Sequence, residues 1–259
     1  MKRIAFLALL LASGCVTADV VPYDVVRELA PTGKLRAAIN FGNGVLAQKD
    51  PKTGEARGVS VDLAREVAKR AGIPLEIVPY DAAGKVTGDA TKDKWDIAFV
   101  ARDPDRAKDI DFTAPYVIIE GTYVVTQDSP LRSVEDVDRD GIRVAVGRGS
   151  AYDLYLSRTL KHAQLVRTPT SPEAPELFVR EKLDAAAGVR QQLEHAARQH
   201  PGLRVMESRF MAIEQAMALP RGRPQAARYL RGFIDEMKAS GFIQQSLDKS
   251  GQKDATVAP

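Results

Sequence analysis

Two arginines stand where a carboxylate can be held. Arg102 and Arg106 lie four residues apart, on either side of Asp103-Pro104-Asp105. A guanidinium presents five N–H donors in a planar fork and stays charged in proteins, so it matches a carboxylate through two parallel hydrogen bonds. Just before the pair, Ile97 to Val100 is a continuous apolar run of the kind expected for a strand buried on both faces, with Ala101 at its end. Asp103 before Pro104 reads as an N-cap with proline at the first helical position. Arg106 therefore falls one turn beyond the carboxyl end of a core strand, where open α/β sheets bind ligands. Pro115 is expected to break the chain before Tyr116.

A second group with chemical potential is Gly147-Arg148-Gly149-Ser150-Ala151-Tyr152. It turns the strand Ile142–Val146 into the helix Tyr152–Leu160. The amides of Gly149 and Ser150 are expected to stand open to a ligand, with Ala151 beside them at the site, and Ser150 caps the helix. Free amides and the helix dipole favour an anion there. A dinucleotide fingerprint is excluded, because Tyr152 stands where its third glycine belongs. A third group, Asn40-Phe41-Gly42-Asn43-Gly44, ends the strand Leu35–Ile39. Asn40 and Asn43 either face a ligand or only tighten a loop.

The elements that must position these groups follow from periodicity. Ser60 is the expected N-cap of a helix whose apolar face is Val61, Ala64, Val67, Ala68 and Ala71, stopped by Gly72. Pro74–Tyr80 reads as a strand, and Ala82–Lys94 has only weak helical amphipathicity. Val117–Thr126 is β-rich, Ser133 to Asp136 reads as a short capped helix, and Ala163–Arg167 is another strand. A helix starts near Glu173, and Leu183–Val189 is a strand of small residues. Leu203–Met206 and Ala212–Leu219 are strands, Pro224–Lys238 and Gly241–Leu247 helices, and Gly251–Pro259 reads as a disordered tail.

The chain opens with Met1-Lys2-Arg3 and an apolar run, Ile4–Ala12, too short to span a bilayer, the pattern of an export signal over residues 1–18. Ala12-Ser13-Gly14-Cys15 resembles a lipoprotein box that would lipidate Cys15; the alternative is cleavage after Ala18. Cys15 is the only cysteine, which excludes disulfides and cysteine-based metal sites. Losing Lys2 and Arg3 lowers the formal charge from +3 to +1, too little for a nucleic-acid partner. His162, His195 and His200 have no metal-pair spacing, and no hydrolase or nucleotide motif is present, so neither cofactor nor metal is expected.

The block DIAFVARDPDRAKDIDFTAPY, Asp96 to Tyr116, resembles the family 3 extracellular solute-binding proteins of bacteria. So does the run from Gly58 to Gly72. The resemblance implies a two-lobed α/β fold of the type II periplasmic-binding kind, hinged by two crossing strands. Lobe one would be 19–122 with 217–259, and lobe two 123–216. It further implies a monomer that captures a small carboxylate or amino-acid-like ligand in the cleft, for membrane subunits of an ABC permease. Arg106 would grip the carboxylate and the turn at Gly149 and Ser150 would close on it. Arg102 and Arg190 either join it or pair with surface carboxylates. Tyr80 would line the cleft or its rim, and Gln215 would reach its hinge side. The family's amino-acid binders usually carry an aspartate about where Val189 stands, to pair with the ligand's ammonium group; its absence points to an organic anion. The rival reading from another class is a periplasmic enzyme like cyclohexadienyl dehydratase, with Glu173 or Glu214 as general acid.

Overall fold

The computed structural model describes residues 20–252 and 255–259. The signal segment 1–18 and Cys15 lie outside the described residues. Helix α1 (Tyr23–Leu29) precedes β1 (Leu35–Asn40), a small antiparallel pair β2 (Gln48–Lys49) and β3 (Ala56–Arg57), then α2 (Val59–Ala71), β4 (Leu75–Tyr80), α3 (Ala83–Gly88) and β5 (Ile97–Ala101). The long strand β6 (Ile110–Thr126) leads to β7 (Arg143–Gly147), α4 (Ala151–Thr159), β8 (Gln164–Thr168), α5 (Glu173–Arg180), β9 (Ala185–Val189), α6 (Arg190–Gln199) and β10 (Leu203–Val205). The second long strand, β11 (Met211–Pro220), precedes α7 (Pro224–Ala239), α8 (Phe242–Lys249) and β12 (Thr256–Val257).

The strand order β4-β1-β5-β11-β6-β9-β7-β8 has two parallel groups flanking two antiparallel crossing strands. In one lobe β4, β1 and β5 run parallel and β11 pairs antiparallel with β5; in the other β8, β7 and β9 run parallel and β6 pairs antiparallel with β9. Every residue of β5 and β9 is buried, as expected of strands covered by helices on both faces. The β6–β11 ladder joins the lobes and runs from Met211 opposite Gly121 to Pro220 opposite Ile110.

The structure corrects three readings of the sequence. Pro115 does not break the chain: β6 runs through it, and register shifts around Ala216 absorb the missing N–H. The Thr113 hydroxyl accepts from the Met217 N–H at 3.2 Å beside this irregularity. Ser60 does not cap α2. Gly58, at φ +109, enters the helix, and Ser60 spends its hydroxyl on the Tyr116 hydroxyl, 3.0 Å away. The C-terminal tail is ordered where described: β12 pairs with β6 at Val117 and Ile118, and Ala255 and Ala258 are buried.

Candidate functional site

Arg106 is held beneath the end of β5 by two carbonyls. Its Nη1 donates to Ala101 O at 2.9 Å and its Nη2 to Gly149 O at 2.8 Å, the second bond crossing between the lobes. The side chain is buried, and Nε has no hydrogen-bond partner. Burial pushes the guanidinium down to about 10, still protonated at neutral pH, with the Asp103 charge opposing the shift. Asp103 is itself committed to Arg158, at 2.7 Å, and to the Asp105 N–H. Arg106 is thus a buried cation with spare donors and no carboxylate bonded to it. Such a group is costly to bury until an anion meets it.

It lines a cavity between the lobes with about 40 Å³ open to the centre of a water molecule. Asn40, Asn43, Ala101, Ser150, Ala151 and Gln215 line it too. The side-chain oxygens of Asn40 and Asn43 cap their own loop, accepting from the N–H of Gly42 and Val45. Gln215 reaches the cavity from the crossing strand β11, buried and without a protein partner among the described residues. Arg106 is the only charged residue in the lining.

The turn after β7 works differently from its sequence reading. The amides of Gly149 and Ser150 are not free: the first donates to Asp153 Oδ2 at 2.8 Å and the second to Gly147 O at 3.2 Å. Ser150 does cap α4, its Oγ accepting from the Asp153 N–H at 3.0 Å. The first amides left without an acceptor are therefore those of Ala151 and Tyr152, the opening residues of α4. Asp153 is buried and pairs with Arg167 at 2.9 Å, which fixes the turn from below. Gly149 sits at φ +68 with the space for a Cβ 2.7 Å from Gly84 Cα, so only glycine lets the lobes approach here.

Four expected residues lie outside the cavity lining: Arg102, Arg190, Tyr80 and Gly149. Arg102 lies just beyond β5, exposed, and pairs with Glu214 at 3.0 Å. Arg190 opens α6 but turns to Glu120 of β6, at 2.7 Å, and to the carbonyls of Met206 and Glu207. Glu120 is held below the usual carboxylate range, first by that bond. Tyr80 donates to Asp89 at 3.1 Å and lines a separate surface depression; burial and that bond push its hydroxyl up to about 12. Gly149 contributes its carbonyl to Arg106 in place of an open amide.

Sequence reasoning missed Ser60, Tyr152, Ser171 and Gln192, which also line the cavity. Ser60 was legible only as a cap. Gln192 donates to Gly42 O of the other lobe at 3.0 Å, a contact no local pattern announces. The Tyr152 hydroxyl is buried beside Ser150 and Ser171 without a well-formed hydrogen bond, and burial pushes its pKa up. Val189 lines the cavity where a carboxylate was expected from the resemblance, and none replaces it. The candidate acids lie elsewhere: Glu214 holds Arg102, and Glu173, at the start of α5, accepts from the Thr170 hydroxyl at 2.7 Å. No helix among the described residues is long and apolar enough to cross a membrane, and no cluster of three metal-ligating side chains occurs among them.

Comparison with known proteins bears on this arrangement. The chain is 22% identical over 192 residues to the glutamine-binding protein of Geobacillus stearothermophilus, covering 72% of each. Its fold matches the solved solute receptor for L-cysteine of Neisseria gonorrhoeae with a TM-score of 0.76 at 20% identity, over 87% of this chain and 92% of that one. It also matches an ancestral amino-acid-binding protein, a precursor of cyclohexadienyl dehydratase, with a TM-score of 0.73 at 24% identity, over 86% and 97%. Residues 47–253 match the family described as bacterial extracellular solute-binding proteins, family 3, and the chain belongs to that family.

Proposed function

We propose that this protein captures a small carboxylate, or an amino-acid-like ligand through its carboxylate, and delivers it to an ABC permease. The observation that carries the reading is Arg106: a buried guanidinium bonded only to carbonyls, in a cavity whose lining holds no carboxylate. The ligand's carboxylate meets the open donors of Arg106 and the first amides of α4, so both lobes share one anion. Asn40, Asn43, Gln192 and Gln215 offer neutral hydrogen bonds around the remainder. An α-ammonium group finds no charged partner beside Val189, which disfavours a plain α-amino acid relative to its deaminated counterpart. The lobes would part near 122/123 and 216/217, where the crossing strands run, and close over the ligand. The protein would work as an exported monomer, tethered by a lipid on Cys15 or free after cleavage at Ala18.

Binding without turnover is favoured over the dehydratase reading. A general acid must reach the bound ligand, and neither Glu173 nor Glu214 lines the cavity. Calorimetry on Arg106→Ala tests the proposal. Loss of one partner of a buried ion pair costs about 3–5 kcal/mol, a hundredfold or more in affinity. The melting temperature of the unliganded variant should hold or rise, because an uncompensated buried charge has been removed. Near-normal affinity for the wild-type ligand would take Arg106 out of the site.

A further inference from the structure

The inner cavity is too small for most of what a solute-binding protein carries. A water's centre needs roughly 10–15 Å³, so about 40 Å³ holds a few waters or the head of a ligand. A second space lies on the other side of three of its lining residues. Tyr152, Ser171 and Gln192 line both the cavity and an outer groove between α6 and the loop after β1, with about 710 Å³ on the same measure. These three side chains are the wall between the two spaces, and the Gln192 bond to Gly42 O is what a longer ligand would displace to pass. Anything larger than the head has this way to extend while the lobes remain together.

The groove differs from the cavity in charge. The cavity has a cation and no carboxylate; the groove has Glu176 and Glu194 against Arg198, with His195 the remaining titratable side chain of its lining. Glu176 is engaged by His200 at 2.9 Å. Glu194 is half-buried on α6 and makes no ion pair or hydrogen bond among the described residues, whereas Arg198 is exposed to solvent. Glu194 is therefore the groove's half-buried carboxylate without a partner among the described residues, one helical turn from the solvent-exposed Arg198.

We infer that the groove is a second subsite, and that the ligand is a carboxylate whose chain passes the Gln192–Tyr152–Ser171 wall and carries a cation at its far end, met by Glu194. This rests on the carboxylate reading of Arg106 and adds the class of ligand: anion and cation at opposite ends, with no ammonium needed next to the carboxylate. The ends of such a ligand match a site with its cation inside and its free carboxylate outside.

Titration calorimetry on the full chain, stripped of co-purifying ligand, tests it. The probes are ω-amino acids from 3-aminopropionate to 6-aminohexanoate, each beside the unsubstituted carboxylate and the dicarboxylate of equal length. The amino compounds should gain about fivefold or more in affinity over their plain counterparts once the chain clears the wall. Dicarboxylates should be the weakest of each set. Glu194→Gln, a near-isosteric change at a half-exposed position, should bring the amino-to-plain ratio toward one, and its melting temperature reports whether it folds. Equal binding of amino and plain chains, preference for dicarboxylates, or an unchanged ratio in Glu194→Gln overturns the second subsite alone. Failure of every carboxylate to bind, or binding that survives Arg106→Ala, removes the carboxylate reading and this inference with it.

Discussion

At the scale of single residues, what the sequence reveals depends on whether a side chain's task is local. Arg106 was legible because its neighbours announce it: an apolar strand, a turn and then a lone guanidinium. Arg102 and Arg190 carry the same chemistry, but their orientation is set by Glu214 and Glu120 on crossing strands far away in sequence. Gln192 and Ser60 were hidden for the same reason, since their partners Gly42 and Tyr116 are distant in the chain. Val189 is the informative absence. Val189→Asp should place a carboxylate beside the cavity and turn preference toward α-amino acids. A charge-assisted bond to an ammonium group is worth about 1.5–3 kcal/mol, roughly a ten- to hundredfold change in the affinity ratio of an α-amino acid to its deaminated analogue. Paired titrations of wild type and variant measure that ratio. An unchanged ratio would mean that the residue on β9 does not face the ligand's α-position.

At the scale of elements, periodicity located most of the strands and helices but not α1, the short pair β2–β3, α6 or β12, and other errors fell where tertiary contacts override local rules. A proline would end most strands, yet β6 continues because β11 shifts register opposite Pro115. The tail after α8 has little apolar content, but β6 offers an unpaired edge at Val117 and Ile118 that β12 completes. The weakly amphipathic segment before Trp95 does form α3, only six residues long, with Val86 buried against the sheet. Buried charge also joins elements. Asp96, fully buried at the start of β5, accepts from the Arg36 N–H, Nε and Nη2 and from Arg223 Nη1. These contacts tie β1 and β5 to the segment leading into α7. Removing the carboxylate leaves two mostly buried guanidinium groups under-compensated, Arg36 with only the exposed Asp93 and Arg223 with the Glu28 carbonyl. Asp96→Ala should therefore lose about 3–5 kcal/mol of stability in urea unfolding. Ligand affinity should change little in whatever remains folded, since Asp96 does not line the cavity.

For the molecule as a whole, function turns on how strongly the lobes hold each other without a ligand. Beside the close approach of Gly149 to Gly84, the side-chain hydrogen bonds that cross the cleft among the described residues are few. Arg106 donates to Gly149 O, Gln192 donates to Gly42 O, and Arg158 on α4 bonds Asp105 at 3.0 Å and Asp103 at 2.7 Å. The Arg158 pair embraces the same loop that presents Arg106, so the latch and the anion grip close together. Its carboxylates differ: Asp103 is nearly buried, and Asp105 is exposed and so screened by salt. Lysine Nζ of Lys108 and then Arg158 hold Asp105 below the usual carboxylate range. Lys108 is on the same loop and acts in either form, so only the smaller Arg158 part of the depression favours closure. That part is present above the unperturbed range and lost as pH falls through the lowered value, so the Asp105 arm should weaken only in acid. Arg158→Ala removes both arms. A ligand that binds only the closed form loses apparent affinity in proportion to the closed population, whatever its intrinsic contacts. The variant should therefore bind several-fold more weakly, with a smaller dependence on ionic strength than wild type. Small-angle scattering should show a larger radius of gyration without ligand and the wild-type value at saturation. If the unliganded radius and the salt dependence match wild type, the Arg158 bridge does not govern closure, and the balance between open and closed rests on the Arg106 and Gln192 contacts alone.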